Sequence, residues 1–311
     1  MRRKAIFFGL SMFDWPKVIN DFEIISISPL KHLNFWQNLV KALLIRTRPT
    51  KAASFFNIDL IMQYVNEADV LIVGDGMPYD IINLIIKTVD KAETPPKYKI
   101  IYLINLARDL SRICLTDGWV IKTFDFNEHQ KWGCQYVSTF HVPVTMPKTL
   151  ITHDVFFIGI NKGRFKRIMN IEEKITKLGL KCKFFYVSKL HFFTKRYSPM
   201  IPYTKALSLL ASSRAILDIS QVGQMGLTQR FMESIFYEKK IITNNHDIKR
   251  FKIYNKNNIY ILSEHDDLSS LVEFLTEPYE KLNHSFVSWY DPQHWLMRIL
   301  SEDDEDSDLV E

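Results

Sequence analysis

The chain has 311 residues, 47% of them hydrophobic and 24% charged, with 40 Lys+Arg against 35 Asp+Glu and a formal net charge of +5. That balance excludes wholesale disorder, and no apolar run approaches the ~18 residues of a membrane span. Three scattered cysteines (Cys114, Cys134, Cys182) exclude a disulfide scaffold and a zinc ribbon, and the first residues are too short and polar for a signal peptide. The expectation is a soluble cytoplasmic protein of two domains.

Short runs rich in Ile, Val and Phe alternate with segments of helical period, the pattern of α/β domains with parallel sheets. Lys4–Phe8 reads as a strand, and Asn34–Ile45 as a helix with Phe35, Trp36, Leu39, Val40, Leu43 and Leu44 on one face. Ser54–Val65 is a second helix, Val70–Val73 a buried strand, Ile81–Val89 a helix and Lys99–Ile104 a strand, with Pro95-Pro96 at the preceding turn. Glu128–Gly133 reads as a short helix or turn, and Gln135–Phe140 as a weaker strand.

Pro143 and Pro147 then mark the seam between a first domain, residues 1–149, and a second, residues 150–282. The second begins with strand Asp154–Ile158, helix Phe165–Leu178 ended by Gly179, and strand Lys183–Val187. Helix Tyr203–Ala211, strand Ala215–Ile219, helix Thr228–Tyr237 and strands Lys240–Thr243 and Asn258–Leu262 follow. A final helix within residues 286–300 carries Trp289, Trp295, Leu296 and Ile299 on its apolar face. Residues 301–311 hold seven acids and no base and read as a disordered acidic tail, with an electrostatic cover for a basic cleft as the alternative.

Without that tail, residues 1–300 carry +12. Lys31, Lys41, Arg46, Arg48 and Lys51 cluster without an acid among them, beside Phe35 and Trp36; Lys162, Arg164, Lys166 and Arg167 form a second group. Nucleic acid, an anionic membrane surface or a phosphorylated small ligand would each explain such patches. No nucleic-acid motif accompanies them, so a nucleic-acid partner is not expected. Seven of the ten glycines (Gly9, Gly74, Gly76, Gly159, Gly163, Gly223, Gly226) fall just beyond an expected strand. Open α/β sheets bind ligands at those carboxyl ends, although turn geometry alone would also place glycines there.

Two segments could carry chemistry. Ala215–Ile235 reads as strand, glycine loop and helix, so residues 223–228 would present backbone N–H groups at a helix N-terminus that favours an anion. Thr228 adds a hydroxyl and Arg230 a charge, while Glu233 lies within reach of a sugar hydroxyl pair, or is simply solvated. In Val155–Arg164 a strand empties into a turn holding Lys162 and Arg164, cations suited to a pyrophosphate or to plain solvation.

Thr123–Asn127 with Lys131–Tyr136, Phe156–Gly159 with Lys162–Arg164, and Gly226–Thr228 with Glu233 and Lys239–Thr243 resemble segments of GT-B glycosyltransferases of the bacterial capsule, O-antigen and lipopolysaccharide type. The resemblance implies two Rossmann-like domains facing a cleft, the second binding a nucleotide sugar, with the helix at 286–300 crossing back to the first. It implies that Glu233 holds the donor ribose, that Gly226, Leu227 and Thr228 lie under the diphosphate, and that Lys162 and Arg164 stabilise the departing nucleotide. The resulting expectation is a metal-independent transferase using a UDP-sugar without further cofactor. Its acceptor would be a lipid-linked bacterial surface glycan, met at the anionic inner leaflet. A non-catalytic sugar-nucleotide-binding partner subunit is the alternative. Where retaining members place a second acid before the glycine loop, this chain has Gln221 and Gln224. An inverting reaction needs a base from the first domain, for which Asp14, His32 and Asp75 are the candidates.

Overall fold

The apolar runs become strands in the computed structural model, which describes residues 2–31, 36–37, 40, 43–44, 53–107, 109–188, 194, 196–263, 268–301 and 308–309. The chain divides into two units: Met1–Ser138 with Pro292–Asp306, and Thr139–Asp291 with Ser307–Glu311.

The first unit holds β1 (Arg3–Phe8), β2 (Val18–Ile19), β3 (Phe22–Ile27), α1 (Ile58–Val65), β4 (Val70–Gly74), α2 (Tyr79–Val89), β5 (Tyr98–Leu103), β6 (Trp119–Thr123), α3 (Phe126–Trp132) and β7 (Gln135–Tyr136). The sheet order is β2-β3-β1-β4-β5-β6-β7, parallel except where β2 meets β3. Alternation of side chains gives each strand two apolar faces. Ile6, Phe8, Leu71 and Val73 pack with Ile61, Val65, Ile81 and Ile85 of α1 and α2. On the opposite side of β1, Phe7 meets Trp295 of the C-terminal helix Pro292–Leu300 edge-on, with ring centroids 6.1 Å apart, and Tyr102 lies 5.3 Å from the same indole. Lys122 holds that helix by donating from Nζ to Ser301 O at 2.7 Å, so a buried lysine satisfies a carbonyl at the helix end. Strands β3 and β6 do not stand out in the sequence, and the strand expected over Gln135–Phe140 closes after Tyr136.

The second unit holds β8 (His153–Ile160), α4 (Phe165–Lys177), β9 (Cys182–Val187), α5 (Tyr203–Ala211), β10 (Ser213–Asp218), α6 (Gln229–Phe236), β11 (Lys240–Thr243), β12 (Ile259–Ile261), α7 (Leu271–Thr276) and α8 (His284–Ser288). Its sheet is parallel, in the order β12-β11-β10-β8-β9. Val155, Phe157 and Leu217 pack on Ile168, Ile171 and Ile175 of α4, while Phe156 and Ile216 pack on Leu207 and Leu210 of α5. Lys239 donates to Ala211 O at 2.8 Å and Ser213 O at 2.7 Å, so this lysine closes the end of α5.

The seam between the units precedes the proline-bearing segment. Gln229 Nε2 donates to Phe140 O at 2.8 Å, His141 N to Tyr290 O at 2.7 Å and Val144 N to the Tyr237 hydroxyl at 3.0 Å, which binds residues 139–149 to the second unit. Of the tail expected to be disordered, Ser301, Asp308 and Leu309 are the described residues, and the last two are held in the fold. Asp308 and Leu309 are buried: Asp308 accepts from the Tyr290 hydroxyl at 2.7 Å, its carbonyl takes Lys252 N at 2.8 Å, and Leu309 bridges Phe251. Within the expected helix Asn34–Ile45, residues 34–35, 38–39, 41–42 and 45 lie outside the described residues; Trp36, Gln37, Val40, Leu43 and Leu44 are helical. No helix among the described residues is long and apolar enough to cross a membrane.

Candidate functional site: two switch points

Each sheet reverses its direction of winding once. In the first unit β1 leads outward to β3, and the chain returns to place β4 on its other side; in the second, β8 leads to β9 and the chain returns to β10. At such a reversal the two connecting loops leave in opposite directions, opening a crevice beyond the strand carboxyl ends. The segments singled out in the sequence end there: Gly9 and Gly74–Asp75 in one unit, Gly159–Arg164 and Asp218–Thr228 in the other.

In the second unit the crevice floor is charged. Arg164, at the start of α4, donates from Nη1 to Ile219 O just past β10. Arg230, in the first turn of α6, donates from Nη2 to Ile158 O in β8. Its guanidinium lies over the Phe157 ring, 5.7 Å from the centroid, and a Cβ at Gly159 would come within 3.4 Å of Nη2 and 3.0 Å of that ring. Thr228 caps α6: Oγ1 accepts from Phe231 N at 3.1 Å and donates to Asp218 Oδ2 at 2.8 Å. The hydroxyl that the sequence offers to an anion is therefore already engaged.

Asp218, at the end of β10, is 2% exposed. Burial pushes its carboxyl above the ordinary carboxylate range; Arg230, the Thr228 hydroxyl and Arg164 pull the other way. Arg164 is pushed down by burial and by Arg230, and partly restored by Asp218. Glu233, one turn further along α6, is raised by burial and steadied by Arg230 and by the Tyr203 hydroxyl. Among the described residues, Arg164 Nε, Arg230 Nε, Asp218 Oδ1 and Ser220 Oγ are buried without a hydrogen-bond partner. Four such atoms around one crevice are unusual, because buried polar atoms are nearly always paired.

Beside them opens a cavity of about 550 Å³, lined by Ile158, Gly159, Met200, Tyr203, Arg230 and Glu233 among others, a size and an apolar-with-few-charges character typical of small-molecule sites. The structure thus brings Arg164, Arg230 and Glu233 together with Asp218. It packs Gly226 and Leu227 inward, where Gln224 Nε2 donates to Gly226 O and Asn245 Nδ2 to Met225 O, and leaves Val222 and Gly223 as the exposed tip of the loop. Lys162 is exposed in a turn closed by Gly163 N donating to Asn161 Oδ1 at 3.0 Å. Asp218, Ser220 and Tyr203 were not singled out in the sequence; an acid ending an apolar strand was the available signal for the first.

In the first unit Gly9 and Gly74 approach so closely that a Cβ on Gly74 would lie 2.8 Å from Leu10 Cδ2 and 3.2 Å from Gly9 O. Asp75 follows directly. It accepts from Ile104 N at 2.8 Å, and from Asn105 N and Asn105 Nδ2, both at 3.3 Å. Burial outweighs these bonds and raises its carboxyl to about 6. Asp14 is exposed in the loop after β1, and His32 lies outside the described residues. Among the described residues no group of three His, Cys, Asp or Glu side chains is placed to hold a metal ion; Asp266 and Asp267 lie outside them.

No family model matches the chain, and no curated protein matches it. Among solved structures it is similar to the DNA-modifying enzyme beta-glucosyltransferase, determined in the presence and absence of its substrate uridine diphosphoglucose. The identity is 15% and the TM-score 0.45, over 96% of this chain and 94% of that one.

Proposed function

We propose that the protein is a metal-independent glycosyltransferase that moves a hexose from a nucleoside-diphosphate sugar, a UDP-sugar, to a lipid-linked bacterial surface glycan. The observation that carries this reading is the set of partnerless buried atoms around Arg164, Arg230 and Asp218, set beside a cavity that Glu233 lines.

Two guanidinium groups at a crevice suit a diphosphate, and fixed cations in a partly dry site stabilise the negative charge that grows on a departing nucleotide. Lys162 supplies a further, exposed cation at the rim. Glu233 accepts from the ribose hydroxyl pair, since both carboxylate oxygens are acceptors. As the bond from the anomeric carbon to the diphosphate oxygen breaks, the acceptor hydroxyl attacks that carbon and gives its proton to a base. One of Asp14, His32 and Asp75 fills that role. Asp75 has the best-suited carboxyl, being half in its basic form near pH 6.

Contact with an anionic inner leaflet is supported by the exposure of Trp36, Val40 and Leu43 (71%, 47% and 61%), which lie among the basic residues 31–51. Flotation with anionic but not neutral liposomes is the expected result; equal recovery with both removes this part.

Isothermal titration with UDP tests the site. Glu233→Ala and Arg164→Ala are each expected to weaken binding by roughly tenfold or more, the loss of one charge-assisted contact. Unchanged affinity in both folded variants overturns the assignment.

A further inference from the structure

Asp218 sits awkwardly in an anion site. A carboxylate beside the position of a diphosphate repels it, yet this one closes β10 directly before Ile219, whose carbonyl Arg164 reaches, and it feels the charge of both arginines that would bind the ligand. The charged groups around it are Arg164 from the turn before α4, and Arg230 and Glu233 from α6; Thr228, the α6 cap, donates to one of its oxygens. The other oxygen, Oδ1, is buried and has no partner. Without an anion, two nearby guanidinium groups repel one another, and a buried charge needs a counter-charge. Asp218 supplies it.

We infer that Asp218 is the internal counter-ion of the ligand-free protein's site and is neutralised by a proton from solvent when a diphosphate arrives. The phosphoryl oxygens then take over Arg164 and Arg230, and the carboxylic acid donates from Oδ1 to a phosphoryl oxygen. Binding is thereby proton-coupled. Burial and the loss of both cationic partners favour the neutral acid in the complex, as for other carboxyls kept protonated in dry sites. Asp218 is a positioning residue on this account: it offsets the repulsion between the guanidinium groups, which Ile219 O and Ile158 O hold in place, until the ligand replaces it. The inference rests on the nucleotide-binding reading above, but its core concerns the diphosphate alone.

Titration calorimetry of the full chain at pH 7.5, with inorganic pyrophosphate, UDP and uridine in buffers of different ionisation enthalpy, tests it. The wild type should take up a proton, in an amount approaching one per pyrophosphate or UDP as the pH is lowered, and none with uridine. Asp218→Asn should abolish the uptake and tighten both diphosphates by roughly tenfold, leaving uridine unchanged. Thr228→Val, which removes the hydroxyl that favours the carboxylate, should move half-maximal uptake to higher pH. No uptake in the wild type, uptake retained in Asp218→Asn, weaker diphosphate binding by that variant in a folded state, or an unmoved profile in Thr228→Val overturns the inference. If pyrophosphate binds with proton uptake while UDP binds no better than pyrophosphate, the inference stands and the nucleotide reading falls. If neither diphosphate binds the wild type, both fall.

Discussion

His141 makes the second unit sensitive to acid, by an amount that follows from its surroundings. The imidazole is 3% exposed, tilted against Phe236 with ring centroids 4.8 Å apart and edge-on to Tyr237 at 5.5 Å, with Nε2 3.4 Å from the Tyr237 hydroxyl. Burial lowers its pKa from 6.5 to about 4, with Gln229 opposing weakly. The folded state therefore holds the ring neutral where the unfolded chain would already protonate it. Its contribution is fully present above pH 6.5 and is lost as the pH falls from 6.5 towards 4. Linkage across that gap gives a loss of about 2 kcal/mol by pH 5 and about 3 kcal/mol at the limit. Asp75, Asp218 and Glu233 work in the opposite direction, because their raised pKa values let the folded state take up protons first. The measurement must therefore be a difference. Urea unfolding of the wild type and His141→Gln, each at pH 7.5 and pH 5.0 and followed by tyrosine and tryptophan fluorescence, isolates the histidine. The wild type should lose about 2 kcal/mol more than the variant between the two pH values. Equal losses in the two proteins would refute the assignment of a dry, neutral ring.

Three further outcomes are expected. Gly74→Ala places a Cβ 2.8 Å from Leu10 Cδ2 and 3.2 Å from a backbone oxygen, so thermal denaturation should show a loss of ~1–3 kcal/mol. If Asp75 is the base, turnover should fall as the pH drops through about 6, and Asp75→Asn should flatten that limb with a loss of roughly 10²-fold or more. Full activity in Asp75→Asn would pass the role to Asp14 or His32. Truncation after Ser301 removes the Asp308 contacts with Tyr290 and Lys252, and should lower the second unit's stability by about 1–3 kcal/mol in urea unfolding.

What could be read from the sequence, and what could not, follows the physics of each segment. Val70–Val73 and Ala215–Leu217 announce themselves because strand segments covered on both faces are apolar throughout. Phe22–Ile27 does not, because Glu23 and Ser26 break its apolar run on the side of the sheet next to the short edge strand β2. Trp119–Thr123 is hidden by Lys122, whose burial makes sense only once Ser301 O is seen to receive it. Arg164, Arg230 and Glu233 were legible as charges placed after strand ends. Asp218 is legible only as an acid closing an apolar run; its role depends on two arginines distant in sequence. Thr228 reads as a hydroxyl at a helix start, but the direction of its donation depends on that same carboxylate. The tail misleads because composition reports its charge, whereas its anchoring depends on Tyr290 and Phe251.

The crossed arginines constrain how this unit can be re-engineered. Arg164 belongs to the loop after β8 and fastens the backbone after β10, while Arg230 belongs to the helix after β10 and fastens the backbone of β8. Each segment thus carries the clasp for the other. A graft that exchanges one of them with a foreign sequence leaves the neighbouring strand end unfastened, so chimeras that keep this unit folded will be those that transplant both segments as a matched pair.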